Sequence, residues 1–212
     1  MYDDGSIVKN NFVVDNIFSD EEIKLLYSEV NLEINGFYQA QDSLGRLYST
    51  LYWKESKIEN NGTVDFKISN NLVNKIVTLA QHNSDVILEL ESISFTRYSL
   101  DYGVPDLPPH VDTRFKQPRL TFDIQLDGNT LWPIVVEGKK YTLKNNQALV
   151  FSGTHEVHWR EKKSFNSDEY LDMLLCQFSE KTTENNDISL EFIKKRDIKQ
   201  KTLKLKYDKG II

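Results

Sequence analysis

The stretch RLTFDIQL, Arg119 to Leu126, alternates without a break. Leu120, Phe122, Ile124 and Leu126 fall on one side, and Arg119, Thr121, Asp123 and Gln125 on the other. A period of two marks a β-strand with one face in a core, whereas a helix would space its apolar residues three and four apart. On these residues alone the polar side faces water, as is usual in antiparallel sheets. The same pattern recurs on either side. Upstream, Ile87 to Ser99 is a long extended run whose alternation slips near Glu91 and Ser92, which predicts a bulge or bend. Downstream, Ile134 to Val136 and Tyr141 to Leu143 flank Glu137-Gly138-Lys139-Lys140, a hairpin signal in which the two lysines read as a solvated turn. Ala148 to Phe151, a Ser152-Gly153 turn, Glu156 to Arg160 and Tyr170 to Phe178 follow. Short strands with a turn about every ten residues point to a β-sandwich or barrel.

The N-terminal part reads differently. Ser19 and Glu22 form a capping-box pattern at the start of a helix running to Leu32, with Ile23, Leu26 and Val30 at helical spacing. Ser69 or Asn70 opens a second helix carrying Leu72, Val73, Ile76 and Leu79, and Leu47 to Trp53 between them is strand-like. No repeat or linker divides the chain. The expected organisation is one domain over residues 1–180, with helical support over about 1–85 and a β core over about 86–180. A C-terminal tail, 181–212, follows. Between Lys194 and Lys209 this tail carries eight basic residues against two Asp, the pattern of a solvated tail or terminal helix.

Composition narrows the function classes. A chain of 212 residues is long enough to bury a real core. Its net charge of −6 argues against binding nucleic acid over the whole surface, leaving only the basic tail for such a contact. A single Cys176, within an apolar run, excludes a disulfide framework and reads as a small buried residue. No apolar run approaches the ~18 residues of a membrane span, and MYDDGSIVKN lacks the apolar core of a secretory signal, so the expected location is cytoplasmic, with no membrane partner. Trp53, Trp132 and Trp159 read as packing groups. No Gly-rich phosphate loop or Gly-x-Ser-x-Gly elbow is present.

Three of the four histidines, His110, His155 and His158, fall in the strand-rich half. His110 stands two residues before Asp112, and in an extended segment such residues point the same way, so an imidazole and a carboxylate can grip one ion from one side. Pro105, Pro108 and Pro109 stiffen the approach. A third ligand from His155 or His158 would complete a two-His-one-carboxylate facial triad, which suits non-haem Fe(II). His155 and His158 differ by three and point to opposite sides of an extended chain, so only one of them faces the ion.

The ordered set RYSLDYG…PPHVDTR…RLTFDIQLDG…WPIVVEGKKYTL…NNQALVFSGTHEVHWRE resembles the iron(II)- and 2-oxoglutarate-dependent dioxygenases, nearest to their prolyl-4-hydroxylase-like branch. The resemblance spans about residues 95 to 180. It implies a mainly β fold with flanking helices (α+β), a double-stranded β-helix (jelly-roll, cupin-like) barrel with N-terminal helices. It implies iron held by His110, Asp112 and His158, the last because it directly precedes Trp159-Arg160-Glu161 as in the family's HWRE-like segment. The implied cofactors are Fe(II), 2-oxoglutarate as co-substrate, and O2. The implied reaction hydroxylates an unactivated carbon of a protein residue or amino-acid-like small molecule and releases succinate and CO2. In such a barrel the polar face of residues 119–126 lines the interior. Many relatives place a base about ten residues after the distal His; positions 165 to 172 contain none. The co-substrate's far carboxylate would then be met by Arg119, ranked first on strand parity, or by Arg160, with Tyr98 and Gln125 as further contacts and Arg97 and Arg114 as other bases. Two other functions fit the same residues: a non-enzymatic β-sandwich binding module or inactive oxygenase relative, and a cupin-type metal enzyme that works without 2-oxoglutarate.

Overall fold

The period-two segments assemble into two antiparallel sheets in the computed structural model, which describes residues 8, 10–30, 44–54, 57–62, 66–112, 119–181 and 188–212. The major sheet holds seven strands: β1 (Phe12–Asp15), β2 (Arg46–Lys54), β3 (Lys57–Gly62), β4 (Leu88–Ser99), β5 (Arg119–Gly128), β8 (Gln147–Phe151) and β10 (Tyr170–Glu180). Their order is β1-β8-β5-β10-β4-β2-β3. The minor sheet is β7-β6-β9, from β6 (Ile134–Val136), β7 (Lys139–Tyr141) and β9 (His158–Arg160). Apart from the β2-β3 and β6-β7 pairs, strands consecutive in sequence are not neighbours in either sheet, as the crossing connections of a jelly roll require.

Helices α1 (Asp20–Ser28) and α2 (Asn70–His82) cover the outer face of the major sheet. In α1 the capping box forms in full: Glu22 N donates to Ser19 Oγ (3.3 Å) and Ser19 N donates to Glu22 Oε2 (2.7 Å). The helix is shorter than the spacing predicts, because Val30 leaves it to bridge Phe66. Leu26, Leu72, Ile76 and Ala80 bury themselves against Leu120, Phe122, Ile124 and Leu126 of β5 and Leu174, Cys176 and Phe178 of β10. The apolar side of RLTFDIQL therefore faces outward to the helices. Its polar side faces inward, between the sheets, and is buried as well.

The slip in β4 is a bulge: Gln177 pairs with Ser92 and Phe178 with Leu90, so Glu91 has no partner across the ladder. The hairpin is tighter than the sequence suggests. Val136 pairs directly with Lys139, and the two turn residues, Glu137 and Gly138, both adopt positive φ (52° and 86°). That is the twist-matched two-residue turn, so Lys139 and Lys140 belong to β7 rather than to the loop.

The last element, α3 (Leu190–Asp208), lies in the stretch read as a tail and is seated on the fold. Tyr207 is buried among Val111, Val135, Val157 and Trp159, its hydroxyl bonded to Asp106. Arg196 Nη1 donates to Thr154 O at 2.7 Å. The helix thus backs the minor sheet, and its lysines, such as Lys194, Lys201 and Lys206, stay in solvent. No helix of the described residues is long and apolar enough to cross a membrane.

Candidate metal centre

His110 and His158 are locked side by side by their own backbones. His110 N donates to His158 O (3.0 Å) and His158 N to His110 O (2.9 Å), which joins the His110 segment to the edge of β9 and leaves the two imidazole centroids 4.1 Å apart. Each ring is oriented by a carbonyl: His110 Nδ1 lies 2.8 Å from Pro108 O, and His158 Nδ1 lies 3.0 Å from Glu156 O. A carbonyl oxygen only accepts, so each Nδ1 carries the proton and each Nε2 keeps a free lone pair. Asp112 is held with equal care. Its backbone N donates to Gly153 O (2.9 Å), while Oδ2 accepts from Gln177 Nε2 (3.0 Å) and Thr121 Oγ1 (3.4 Å). Its Oδ1 is left 3.8 Å from His158 Nε2. One ligand atom from each of the three residues falls within 4.8 Å of the others.

This donor set fits Fe(II). Two neutral nitrogens and one carboxylate oxygen converge, and each ligand is fixed by a second hydrogen bond, as ligands of a bound metal are. The electrostatics agree. Burial pushes both imidazoles down to about 4, with the neighbouring imidazole adding to the shift at His110. Burial pushes Asp112 up. The desolvated carboxylate therefore lacks a cation, and the imidazoles beside it are already in the form a metal needs. His155 is not part of the cluster. Its Nδ1 lies 3.2 Å from both Ser152 Oγ and Thr154 Oγ1, and its ring packs at 4.8 Å, tilted by 46°, against Phe192 of α3.

The triad opens on a cavity of about 430 Å³ between the sheets. Thr121 and Asp123 of β5 and Met173, Leu175 and Gln177 of β10 line it, with Tyr98, Leu107, Arg46 and Arg160. Arg160 is 3% exposed. Its Nη1 donates to Trp132 O, Nη2 lies 3.7 Å from Met173 Sδ, and its guanidinium sits 5.2 Å over the Trp132 ring. No carboxylate among the described residues pairs with it. Burial pushes its pKa down, against the pull of Tyr98 and Asp123. A buried guanidinium that no carboxylate of the described residues hydrogen-bonds, facing a cavity, can receive a carboxylate. Tyr98 is buried beside it, edge-on to Trp132 at 5.1 Å.

The other sequence candidates lie elsewhere. Arg119 turns to the polar side of β5 but ion-pairs with Glu91, the bulged residue of β4, and does not line the cavity. Gln125 donates to Asn145 Oδ1 (2.9 Å), also off the cavity wall. Arg97 is bidentate to Asp172 (2.7 and 2.6 Å), and Arg114 lies outside the described residues. Two contributors escape the motif reading. Gln177, which orients Asp112, stands at the same strand parity as Met173 and Leu175, a signal that could have found it. Gly153 is needed for space: a β-carbon there would fall 2.1 Å from Asp112 Oδ2 and 2.4 Å from Thr121 Oγ1. Trp132 and Trp159 are buried packing groups, and burial pushes the Cys176 thiol up, away from reactivity.

No family model and no curated protein matches the chain. Solved structures do. An oxidoreductase of the 2OG-Fe(II) oxygenase family from Burkholderia pseudomallei matches with a TM-score of 0.57 at 11% identity, covering 84% of this chain and 88% of that one. AviO1 from Streptomyces viridochromogenes Tue57 matches with a TM-score of 0.54 at 11% identity, over 82% of this chain and 91% of that one. HygX from Streptomyces hygroscopicus, a structure with nickel and 2-oxoglutarate bound, matches with a TM-score of 0.50 at 10% identity, over 81% and 83%. The chain therefore has the jelly-roll fold of these oxygenases, mainly β with flanking helices, as the sequence predicts.

Proposed function

We propose that this chain is an Fe(II)- and 2-oxoglutarate-dependent oxygenase that hydroxylates an unactivated carbon of an amino-acid-like small molecule or a protein residue. The observation that carries this reading is one cavity with a cation site at one end and an unpaired guanidinium along its wall. His110, Asp112 and His158 would hold the iron from one side, leaving the remaining positions for co-substrate and O2. Bound iron supplies the activation of O2, at the cost of converting 2-oxoglutarate to succinate and CO2. The protein's share is positional. Thr121 and Gln177 fix the Asp112 carboxylate, and the carbonyls of Pro108 and Glu156 fix the imidazoles. Arg160 would pair with the far carboxylate of the co-substrate, with Tyr98 beside it. It stands in for the base that many relatives carry about ten residues after the distal His, where positions 165 to 172 of this chain hold none. Leu107, Met173 and Leu175 make the wall apolar and exclude water.

The test is reconstitution. Wild-type protein loaded with Fe(II) under argon and then exposed to air should consume 2-oxoglutarate and release succinate, even without its own substrate. His110→Ala should lose both metal and turnover. Iron-loaded wild type that neither binds nor consumes 2-oxoglutarate with a broad panel of amino-acid-like compounds and peptides would refute the reading.

A further inference from the structure

Arg160 is held in place without an acid, and the residue that holds it is Trp132. Arg97, Arg119 and Arg196 each pair with a carboxylate, on Asp172, Glu91 and Asp197. Such a partner fills the N–H fork of the guanidinium. Trp132 works differently. The Arg160 guanidinium sits 5.2 Å over its ring, its carbonyl accepts from Nη1, and its Nε1–H donates to Glu161 O at 2.7 Å. One residue therefore grips both the side chain and the backbone just after it. The plane of the ring is fixed in turn. Tyr98 of β4 meets it at 5.1 Å and 79°, and Phe165 at 5.2 Å and 88°, both edge-on. Pro133 favours an extended backbone at Trp132, directly ahead of β6, whose Ile134 pairs with Arg160.

An aromatic face attracts a cation through its quadrupole and takes up no N–H. Among the described residues the guanidinium bonds only to Trp132 O and Met173 Sδ, so its other N–H groups are left for a ligand in the cavity that Arg160 lines. We propose that Trp132 is the positioning residue of the co-substrate pocket: its ring and carbonyl keep the Arg160 guanidinium buried and aimed, with the fork available to the far carboxylate. The inference rests on the co-substrate reading above. It adds to the packing role of Trp132 an action on one ligand group, exerted through Arg160.

Packing and positioning separate when the far carboxylate is removed from the ligand. 2-Oxobutanoate has the same chelating end as 2-oxoglutarate and no far carboxylate. The experiment is calorimetric titration of each compound into the Mn(II)-loaded protein, with Mn(II) affinity measured in parallel, for wild type, Trp132→Phe, Trp132→Leu, Arg160→Leu and the double variant. Trp132→Leu should bind 2-oxoglutarate about tenfold more weakly than wild type, and 2-oxobutanoate and Mn(II) within about threefold of it. Trp132→Phe keeps an aromatic face and should recover most of the 2-oxoglutarate affinity. Arg160→Leu should lose at least as much as Trp132→Leu, and adding Trp132→Leu to it should cost nothing further, because the ring acts only through the guanidinium. A Trp132→Leu protein that binds 2-oxoglutarate as wild type does, while Arg160→Leu does not, would overturn the inference and leave the co-substrate reading intact. A Trp132 variant that loses Mn(II) and 2-oxobutanoate along with 2-oxoglutarate would make the residue structural and overturn it too. Arg160→Leu with wild-type affinity for 2-oxoglutarate would remove the inference together with the Arg160 anchor. Wild type that takes up Mn(II) but no 2-oxoglutarate would remove the whole reading, a result distinct from the others.

Discussion

At Gly153 the main chain passes so close to Asp112 that only a hydrogen atom fits, and the positioning of the Asp112 carboxylate depends on that missing methyl group. The residue does not adopt a positive φ, so its role is space rather than backbone freedom. Gly153→Ala should therefore fold and yet push aside either the Asp112 carboxylate or the Thr121 hydroxyl that orients it. The expected outcome is a loss of Mn(II) affinity of at least about tenfold, read by calorimetry, with an unchanged far-ultraviolet spectrum. Affinity equal to wild type would show that the loop yields without disturbing the ligand. In the sequence, Ser152-Gly153 is legible as a turn and nothing more, because the atoms that need the space belong to residues distant in the chain. His110 and Asp112 are the opposite case: their spacing alone puts both on one side of an extended segment. Arg119 and Arg160 show where parity stops helping. Both sit on inward-facing positions of their strands, but a carboxylate exposed by the β4 bulge captures the first and none pairs with the second.

Among the elements, α3 was the least legible and has a direct mechanical connection to the centre. Its basic residues recur on every turn, so no apolar stripe announces a buried face. Docking instead uses isolated anchors, above all Tyr207, which is 1% exposed. Tyr207 packs on Val111, between the candidate ligands His110 and Asp112, and on Trp159, the neighbour of His158. Tyr207→Ala should cost about 3–5 kcal/mol in urea unfolding and weaken metal binding as the strands behind the ligands loosen. Tyr207→Phe keeps the packing and loses only the bond to Asp106, at about 1 kcal/mol. If the alanine variant is as stable as wild type, α3 is not a structural part of the domain. The locally encoded elements contrast with it. The α1 capping box, the β4 bulge and the alternation of β5 all involve residues within a few positions of one another, and all are where the sequence places them. The hairpin differs from the sequence reading because two lysines look like a turn, although a Glu-Gly pair with positive φ is sufficient to reverse the chain.

Over the whole molecule, the candidate site fastens two sheets that otherwise meet mainly through side chains. Asp112 is tied to the major sheet through Thr121 on β5 and Gln177 on β10, while His158 belongs to the minor sheet and His110 is bridged to it. An ion bound by all three would cross-link the layers, and it would bind the folded chain far better than the unfolded one. By linkage, Mn(II) at about a hundred times its dissociation constant should add about 2.7 kcal/mol of stability. For a chain of this size that raises Tm by roughly 5–10 °C, and a chelator should reverse the rise. The size of the shift alone would not identify the ligands, but the histidine variants do. His158→Ala should abolish the shift. His155→Ala, which removes a ring packed against Phe192 of α3 and outside the triad, should lower the starting Tm and keep the shift. The reverse pattern would mean that the second imidazole at the ion comes from His155, and with it that β9 presents its opposite face to the cavity. Arg160 and its carboxylate-binding role would then turn away from the cavity too, since it shares the face of His158, so one melting experiment on two variants tests the metal site and the co-substrate pocket together.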